Sequence, residues 1–294
     1  MDKKAMNQGT RRLFGGTKAQ LKDFPPACLL TDRSLTARCS GAVVAPHWVL
    51  TAAHCISPSL AYVKYNTRTP SKGPADQATI VALYQHPKYE VVQEDEGRGL
   101  DVTQLHNDIG LAETKQAIEL DFPLKDEPIH AMRSIEPKKL QKVMVQVMGF
   151  GRTETAEATL GEELFAVTLR LQNCERSSWF HCMCGLASPG ERARGVCSGD
   201  SGGPVVYSGV QVGVTSMGPL ECVTMADPTP GSTSVFTSLY QYADILNDTI
   251  NNVPGVIKMS SVALDGASTP SPVAAVVLAL FVAVVSNTVS LAMP

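Results

Sequence analysis

The chain has 294 residues, with 25 lysines and arginines against 28 aspartates and glutamates, for a formal charge of −3. Such a balance excludes an electrostatic case for nucleic-acid binding. The length exceeds a common single domain, yet all-β chains of roughly 200–250 residues form one unit. In chain order, short apolar runs between Gly-, Pro- and Ser-rich turns read as strands at residues 41–45, 79–83, 143–148, 164–171, 204–207 and 210–215. Such runs are the pattern of an antiparallel barrel or sandwich. Near the end, Leu239, Tyr240, Ala243, Ile245, Leu246, Thr249 and Ile250 have helical spacing. After Asp265 no charged residue appears, and residues 273–285 form a continuous apolar run of thirteen. That run is short for a membrane span unless residues 286–292 also enter the bilayer.

Three motifs carry chemistry. In Val49-Leu50-Thr51-Ala52-Ala53-His54-Cys55 an apolar run ends in small residues and then a histidine, whose imidazole titrates near neutrality. In His106-Asn107-Asp108-Ile109-Gly110-Leu111-Ala112 a polar turn carries an acid into a short apolar strand. In Cys197-Ser198-Gly199-Asp200-Ser201-Gly202-Gly203-Pro204 glycines surround a serine, letting the backbone turn sharply and bring N–H groups to what the hydroxyl attacks. A hydroxyl is a poor nucleophile unaided, so Ser201 calls for a base and an orienting acid. In order and residue pattern the three motifs resemble the chymotrypsin-like (trypsin-fold) serine endopeptidases, over about residues 12–252. A single motif of this kind is more often a packed core histidine or an ordinary loop; the three together are specific.

The resemblance implies an all-β fold of two packed six-stranded antiparallel barrels with a C-terminal helix, His54 and Asp108 on one barrel and Ser201 on the other. It implies a His54–Asp108–Ser201 triad acting through an acyl-enzyme, with Gly199 and Ser201 N–H groups as the oxyanion hole. Arg11-Arg12-Leu13-Phe14-Gly15-Gly16 resembles the activation site: cleavage after Arg12 frees the Leu13 amine to pair with Asp200. Leu13-Phe14 departs from the family's Ile-Val but stays apolar, so zymogen activation is expected, with an ordinary exposed basic pair as the alternative. Ser216-Met217-Gly218 matches a cleft-lining segment in which Ser216 bonds Asp108 and the backbone near Gly218 pairs with substrate; Met217 replaces the usual Trp. Gly195 falls at the floor of the primary pocket beside Val196, which favours small or medium apolar side chains. Asp227 complicates this: it sits in an enlarged loop, 223–234, and entry into the pocket from the opposite wall is the alternative to the favoured reading of a solvated loop acid.

Eight cysteines suit an oxidising compartment. By resemblance Cys39 pairs with Cys55, Cys174 with Cys184 and Cys197 with Cys222, leaving Cys28 and Cys182 unassigned. The cluster His181-Cys182-Met183-Cys184 lacks the second ligand cluster a metal site needs, so no metal and no organic cofactor are expected. Residues 90–106 are longer than the family needs and carry Glu90, Glu94, Asp95 and Glu96, either as a solvated loop or as an element that selects substrates beside the cleft. Asp101 within it is a rival to Asp108 as the triad acid.

The expected organisation is an activation segment at 1–12, a protease domain at 13–254, a Ser/Pro linker at 255–272 and a hydrophobic tail at 273–294. The tail resembles a GPI-attachment signal, with a spanning helix or a loose tail as alternatives. Residues 1–12 have no signal-peptide apolar core, so an exported protein calls for a longer N-terminus or another route. Asn247-Asp248-Thr249 is an N-glycosylation sequon. Expected partners are protein or peptide substrates, an activating protease and protein inhibitors. The rival reading is a catalytically silent homologue that binds a partner; an α/β-hydrolase esterase is excluded by the order of the three residues.

Overall fold

Along residues 165–172 the side chains alternate as a half-buried strand should: Val167, Leu169 and Leu171 are buried, while Thr168 is exposed. A computed structural model describes residues 15–95, 100–122, 128–151, 161–191, 193–219 and 231–265. Its strands are β1 (Thr17–Lys18), β2 (Ala27–Asp32), β3 (Ala37–Ala45), β4 (Trp48–Thr51), β5 (Leu60–Tyr65), β6 (Asp76–Gln85), β7 (Glu90–Asp95), β8 (Leu100–His106) and β9 (Gly110–Thr114). The second half holds β10 (Met144–Gly149), β11 (Phe165–Gln172), β12 (Cys182–Leu186), β13 (Pro204–Tyr207), β14 (Val210–Met217), β15 (Ser234–Ser238) and β16 (Ser260–Val262). Helices α1 (Pro128–Met132) and α2 (Ala243–Ile250) and three 3-10 turns, Leu21–Asp23, Ala53–Cys55 and Pro137–Leu140, complete the described elements.

Every pairing between these strands is antiparallel, and two rings close. One runs β2–β3–β4–β9–β6–β5 and back to β2, the other β10–β13–β14–β15–β12–β11 and back to β10. The two six-stranded barrels inferred from the motifs are therefore present. Closure matters physically, because it leaves no open edge to template unwanted pairing. Each barrel has its own apolar filling: Leu50, Val63, Leu83 and Leu111 in the first, Val147, Leu169, Val205 and Phe236 in the second. Between them Leu29 and Ala42 meet Met148, Phe150, Leu164 and Val206, a joint that fixes one barrel against the other.

Helix α2 follows the second barrel but packs on the first, with Ala243 and Leu246 in its core, so the chain end clasps both. Asn247 lies on this helix, where the Thr249 hydroxyl donates to the Ile245 carbonyl at 2.6 Å. Two stretches differ from the sequence reading. Residues 255–265 are not a free linker: Met259 is buried in the first barrel's core, β16 pairs with β6, and the Asp265 N–H donates to the Pro58 carbonyl at 2.9 Å. Apolar Met259, Val262 and Leu264 explain the docking, since they cover barrel surface that a Ser/Pro linker would leave exposed. The acidic stretch after Tyr89 is a β-hairpin, β7 paired with β8, rather than a loop. Among the described residues no helix is long and apolar enough to cross a membrane. The tail at 273–294 lies outside them.

Candidate active site

Strand β4 ends at Thr51, and the tight turn Ala53–Cys55 carries His54 to the barrel rim. Ala52 and Ala53 are small because they are buried beneath the turn, and the Cys39–Cys55 disulfide ties it to β3. Strand β9 comes very near. A Cβ on Gly110 would stand 2.5 Å from Ile56 Cγ1 and 3.1 Å from the Ala52 carbonyl, so only glycine fits between Ile109 and Leu111.

That approach delivers Asp108, whose side chain is 1% exposed. Its Oδ1 accepts the His54 backbone N–H at 2.9 Å, and its Oδ2 lies 2.8 Å from His54 Nδ1. The Ser216 hydroxyl also donates to Oδ2, and the Thr237 hydroxyl donates to the Asp108 carbonyl at 2.9 Å. An ionised carboxylate only accepts, so Nδ1 carries the proton and Nε2 of the neutral ring keeps its lone pair. Burial works against the Asp108 anion, but the His54 charge and the donors from His54 and Ser216 outweigh it and lower its pKa. Burial likewise disfavours the imidazolium, yet the Asp108 carboxylate prevails and the His54 pKa is raised. Asp101, the rival acid, stands on β8 with its Oδ2 2.7 Å from Arg176.

The Ser201 loop belongs to the second barrel but is held by the first. The Ser40 N–H donates to the Ser201 carbonyl at 2.9 Å, and the Ser40 hydroxyl donates to the Gly199 carbonyl at 2.8 Å. The same hydroxyl oxygen accepts the Phe150 N–H. Gly202 has φ +79, and a Cβ there would meet Thr51 Oγ1 at 1.9 Å and the Ser40 carbonyl at 2.3 Å. Its N–H donates to the Thr215 carbonyl at 2.7 Å. The glycines are thus required by close approach as well as by turning. Among the described residues no acceptor takes the N–H of Gly199 or Ser201. Ser40 was not singled out from the sequence; nothing in its strand signals a role that arises only where β3 meets the other barrel.

Asp200 is fully buried, and its carboxylate accepts the N–H groups of Gly151 at 2.9 Å and Cys197 at 2.8 Å. Cβ atoms on Gly149 and Gly151 would stand 2.3 and 2.5 Å from it, so glycines make its cradle. Burial pushes its pKa up to about 7 despite those two donors. Among the described residues no cation pairs with it. Arg12 and Leu13, the expected activation pair, lie outside the described residues, as do Asp227 and Cys222.

His54, Asp108 and Ser201 line one cleft of about 360 Å³, together with Ser216, Met217 and Gly218. Tyr89 and residues of the β7–β8 hairpin form its other wall. Of the expected pocket residues, Val196 is not at the surface: its side chain packs with Val147, Leu169 and Phe236 inside the second barrel. Its position follows from the chain's path, which hydrogen-bonds the Val196 N–H to Ser234 Oγ and turns the side chain inward. Gly195 lies beside the same Ser234 hydroxyl, where a Cβ would come within 2.8 Å. The disulfides Cys39–Cys55 and Cys174–Cys184 are formed as expected, and Cys197 is also disulfide-bonded. Cys28 and Cys182 are free thiols.

Comparison with known proteins agrees with this arrangement. The trypsin family model matches residues 13–246. The chain is 27% identical to the CLIP domain-containing serine protease B4 of Anopheles gambiae, over 83% of this chain and 71% of that one. It is 27% identical to kallikrein 1-related peptidase b27 of Mus musculus, covering 83% and 91%, and 26% identical to a trypsin of Saccharopolyspora erythraea, covering 81% and 98%. With two closed barrels, a histidine–carboxylate pair and a glycine-bound serine in the cleft between them, the chain belongs to the trypsin family and is a serine endopeptidase.

Proposed function

We propose that Ser201 attacks the scissile carbonyl while His54 Nε2 takes its proton and later returns it to the leaving amine. Asp108 fixes the tautomer and stabilises the imidazolium, and the N–H groups of Gly199 and Ser201 receive the oxyanion. Water then releases the acyl-enzyme. The observation that carries this reading is the 2.8 Å contact between His54 Nδ1 and buried Asp108, in a cleft that Ser201 also lines.

The protein is made as a zymogen. Cleavage after Arg12 by an activating protease frees the Leu13 ammonium, which pairs with Asp200. Support comes from the glycine-walled cradle of Asp200, a buried carboxylate that gains from a cation. The primary pocket takes small or medium apolar side chains of protein and peptide substrates, because Gly195 brings no charge to its floor. Export to the cell exterior and a surface tether through residues 273–294 complete the proposal, with protein inhibitors reaching the same cleft.

A fluorophosphonate probe tests the chemistry. It labels the wild type after cleavage at Arg12 and labels neither Ser201→Ala nor Arg12→Gln. Labelling that survives Ser201→Ala refutes the assignment of the nucleophile. Cleavage-site profiling on a peptide library tests the pocket: Ala, Val or Leu is expected before the cut, and a strong preference for Arg or Lys refutes the uncharged floor and implicates Asp227.

A further inference from the structure

The β7–β8 hairpin has a built inner face. Its register pairs Val91 with Leu105 and Gln93 with Val102, with a slip between Val92 and Gln93 that leaves Thr103 as an extra residue. This bulge brings Val102 and Leu105, three apart in sequence, onto one face. That face, with Val91 and Gln93, lines the catalytic cleft opposite residues 216–218. The hairpin is fastened to the second barrel. Leu105 bridges Trp179, the Trp179 indole N–H donates to the Val102 carbonyl at 3.1 Å, and the Ser178 hydroxyl donates to the Thr103 carbonyl at 2.5 Å. The His106 ring stacks edge-on with Phe180 at 4.6 Å, and the Cys174–Cys184 disulfide closes the loop that makes these contacts. A wall held this way is rigid enough to discriminate.

Asp101, which directly precedes Val102 on β8, also lines the cleft. Its Oδ1 accepts the neighbouring Val102 N–H at 2.8 Å and its Oδ2 accepts from Arg176 at 2.7 Å, while half of the side chain, 51%, stays exposed. Among the described cleft-lining residues it is the one carboxylate besides buried Asp108, and none is a lysine or arginine. A cleft wall that combines apolar side chains with a half-exposed carboxylate suits a side chain with an aliphatic stem and a cationic tip. An extended substrate pairing with residues 216–218 sets its residues ahead of the scissile bond beside this wall, at about 3.3 Å per residue.

We infer that Asp101 is a specificity-determining residue that selects lysine or arginine at the second, third or fourth residue before the cut. This rests on the catalytic reading above and is separate from the primary pocket. Arg176 competes for the same carboxylate and sets how strong the selection is.

The test uses the full chain cleaved after Arg12 and fluorogenic peptides with a constant Ala before the cut. Lys, Ala or Glu is placed in turn at each of the three preceding positions. At one position the Lys-to-Ala ratio of kcat/KM is expected to be about fivefold, with Glu below Ala, as for a partly exposed charge pair. Comparing ratios within each variant cancels any loss of fold or general activity. Asp101→Asn brings the ratio to near one, Arg176→Gln raises it, and high salt lowers it. A wild-type ratio near one at all three positions, or one untouched by Asp101→Asn, overturns the inference while the cleavage observed leaves the catalytic reading intact. Absence of both fluorophosphonate labelling and all-Ala peptide cleavage overturns both.

Discussion

Replacing Ser216 by alanine isolates one of the three donors that hold the Asp108 carboxylate. The wild-type anion accepts from the His54 backbone N–H, the His54 imidazole and the Ser216 hydroxyl in a site 1% exposed to solvent. The substitution removes one hydrogen bond to a charged group in a site shielded from solvent. Such bonds contribute about 1.5–3 kcal/mol. At 2–4 °C per kcal/mol for a domain of this size, the melting temperature falls by roughly 3–12 °C at neutral pH. The pH dependence gives a second handle. The Asp108 pKa is lowered in the folded chain, so its contribution is present above the ordinary carboxylate value and lost as pH falls through the lowered one. The gap between wild type and Ser216→Ala therefore begins to narrow as pH falls below the ordinary carboxylate value. Guanidinium unfolding with disulfides intact, followed from pH 7 to pH 3, measures both effects. A gap below about 0.5 kcal/mol at neutral pH, or one that does not narrow in acid, refutes the claim that this hydroxyl supports the anion.

Other consequences are equally direct. In Asp108→Asn only burial acts on His54, so its pKa drops and the acid limb of the pH–rate profile moves to lower pH, with kcat falling about 10⁴-fold as is usual for such triads; a limb that moves to higher pH contradicts this. Asp200 has its pKa raised to about 7 in the uncleaved chain, so its contribution to stability is present below the ordinary carboxylate range and lost as pH rises through about 7. Melting temperatures between pH 6 and 8 should fall for the uncleaved chain and hold steady once Arg12 is cut; identical curves speak against the Leu13–Asp200 pair. Gly202→Ala drives a methyl into Thr51 and Ser40 at φ +79, so the nucleophile loop must shift and fluorophosphonate labelling should drop at least tenfold. Phe150→Ala empties a fully buried site at the joint between the barrels and should cost about 3–5 kcal/mol of stability by denaturant titration.

The candidate catalytic residues could be picked out in the chain because the demands of the proposed chemistry are local in type. A hydroxyl needs glycines around it, a base needs small residues that let it reach the rim, and an acid needs an apolar strand to bury it. The short strands at 204–207 and 144–149 were readable for a similar reason, since apolar runs between turn residues have few other uses. The hairpin was harder. Its strands carry Glu90, Glu94, Asp95 and Asp101 and face water on one side, so composition left a solvated loop and a substrate-selecting element equally open, while pairing and the clamp from Trp179 and Ser178 made it a wall. Val196 looked like a pocket residue until the bond from its N–H to Ser234 turned it into the barrel core.

Taken alone, the order of residues determined which groups could react and that strands would carry them, because reactivity and backbone pairing depend on neighbours a few positions away. It favoured Asp108 over Asp101 by closeness to a motif alone, and it could not supply the contact between His54 and Asp108, reveal Ser40 as the brace of the serine loop, or turn residues 260–262 into a strand on β6. Those outcomes depend on contacts between segments 50 to 180 positions apart, which exist only after both barrels close and pack.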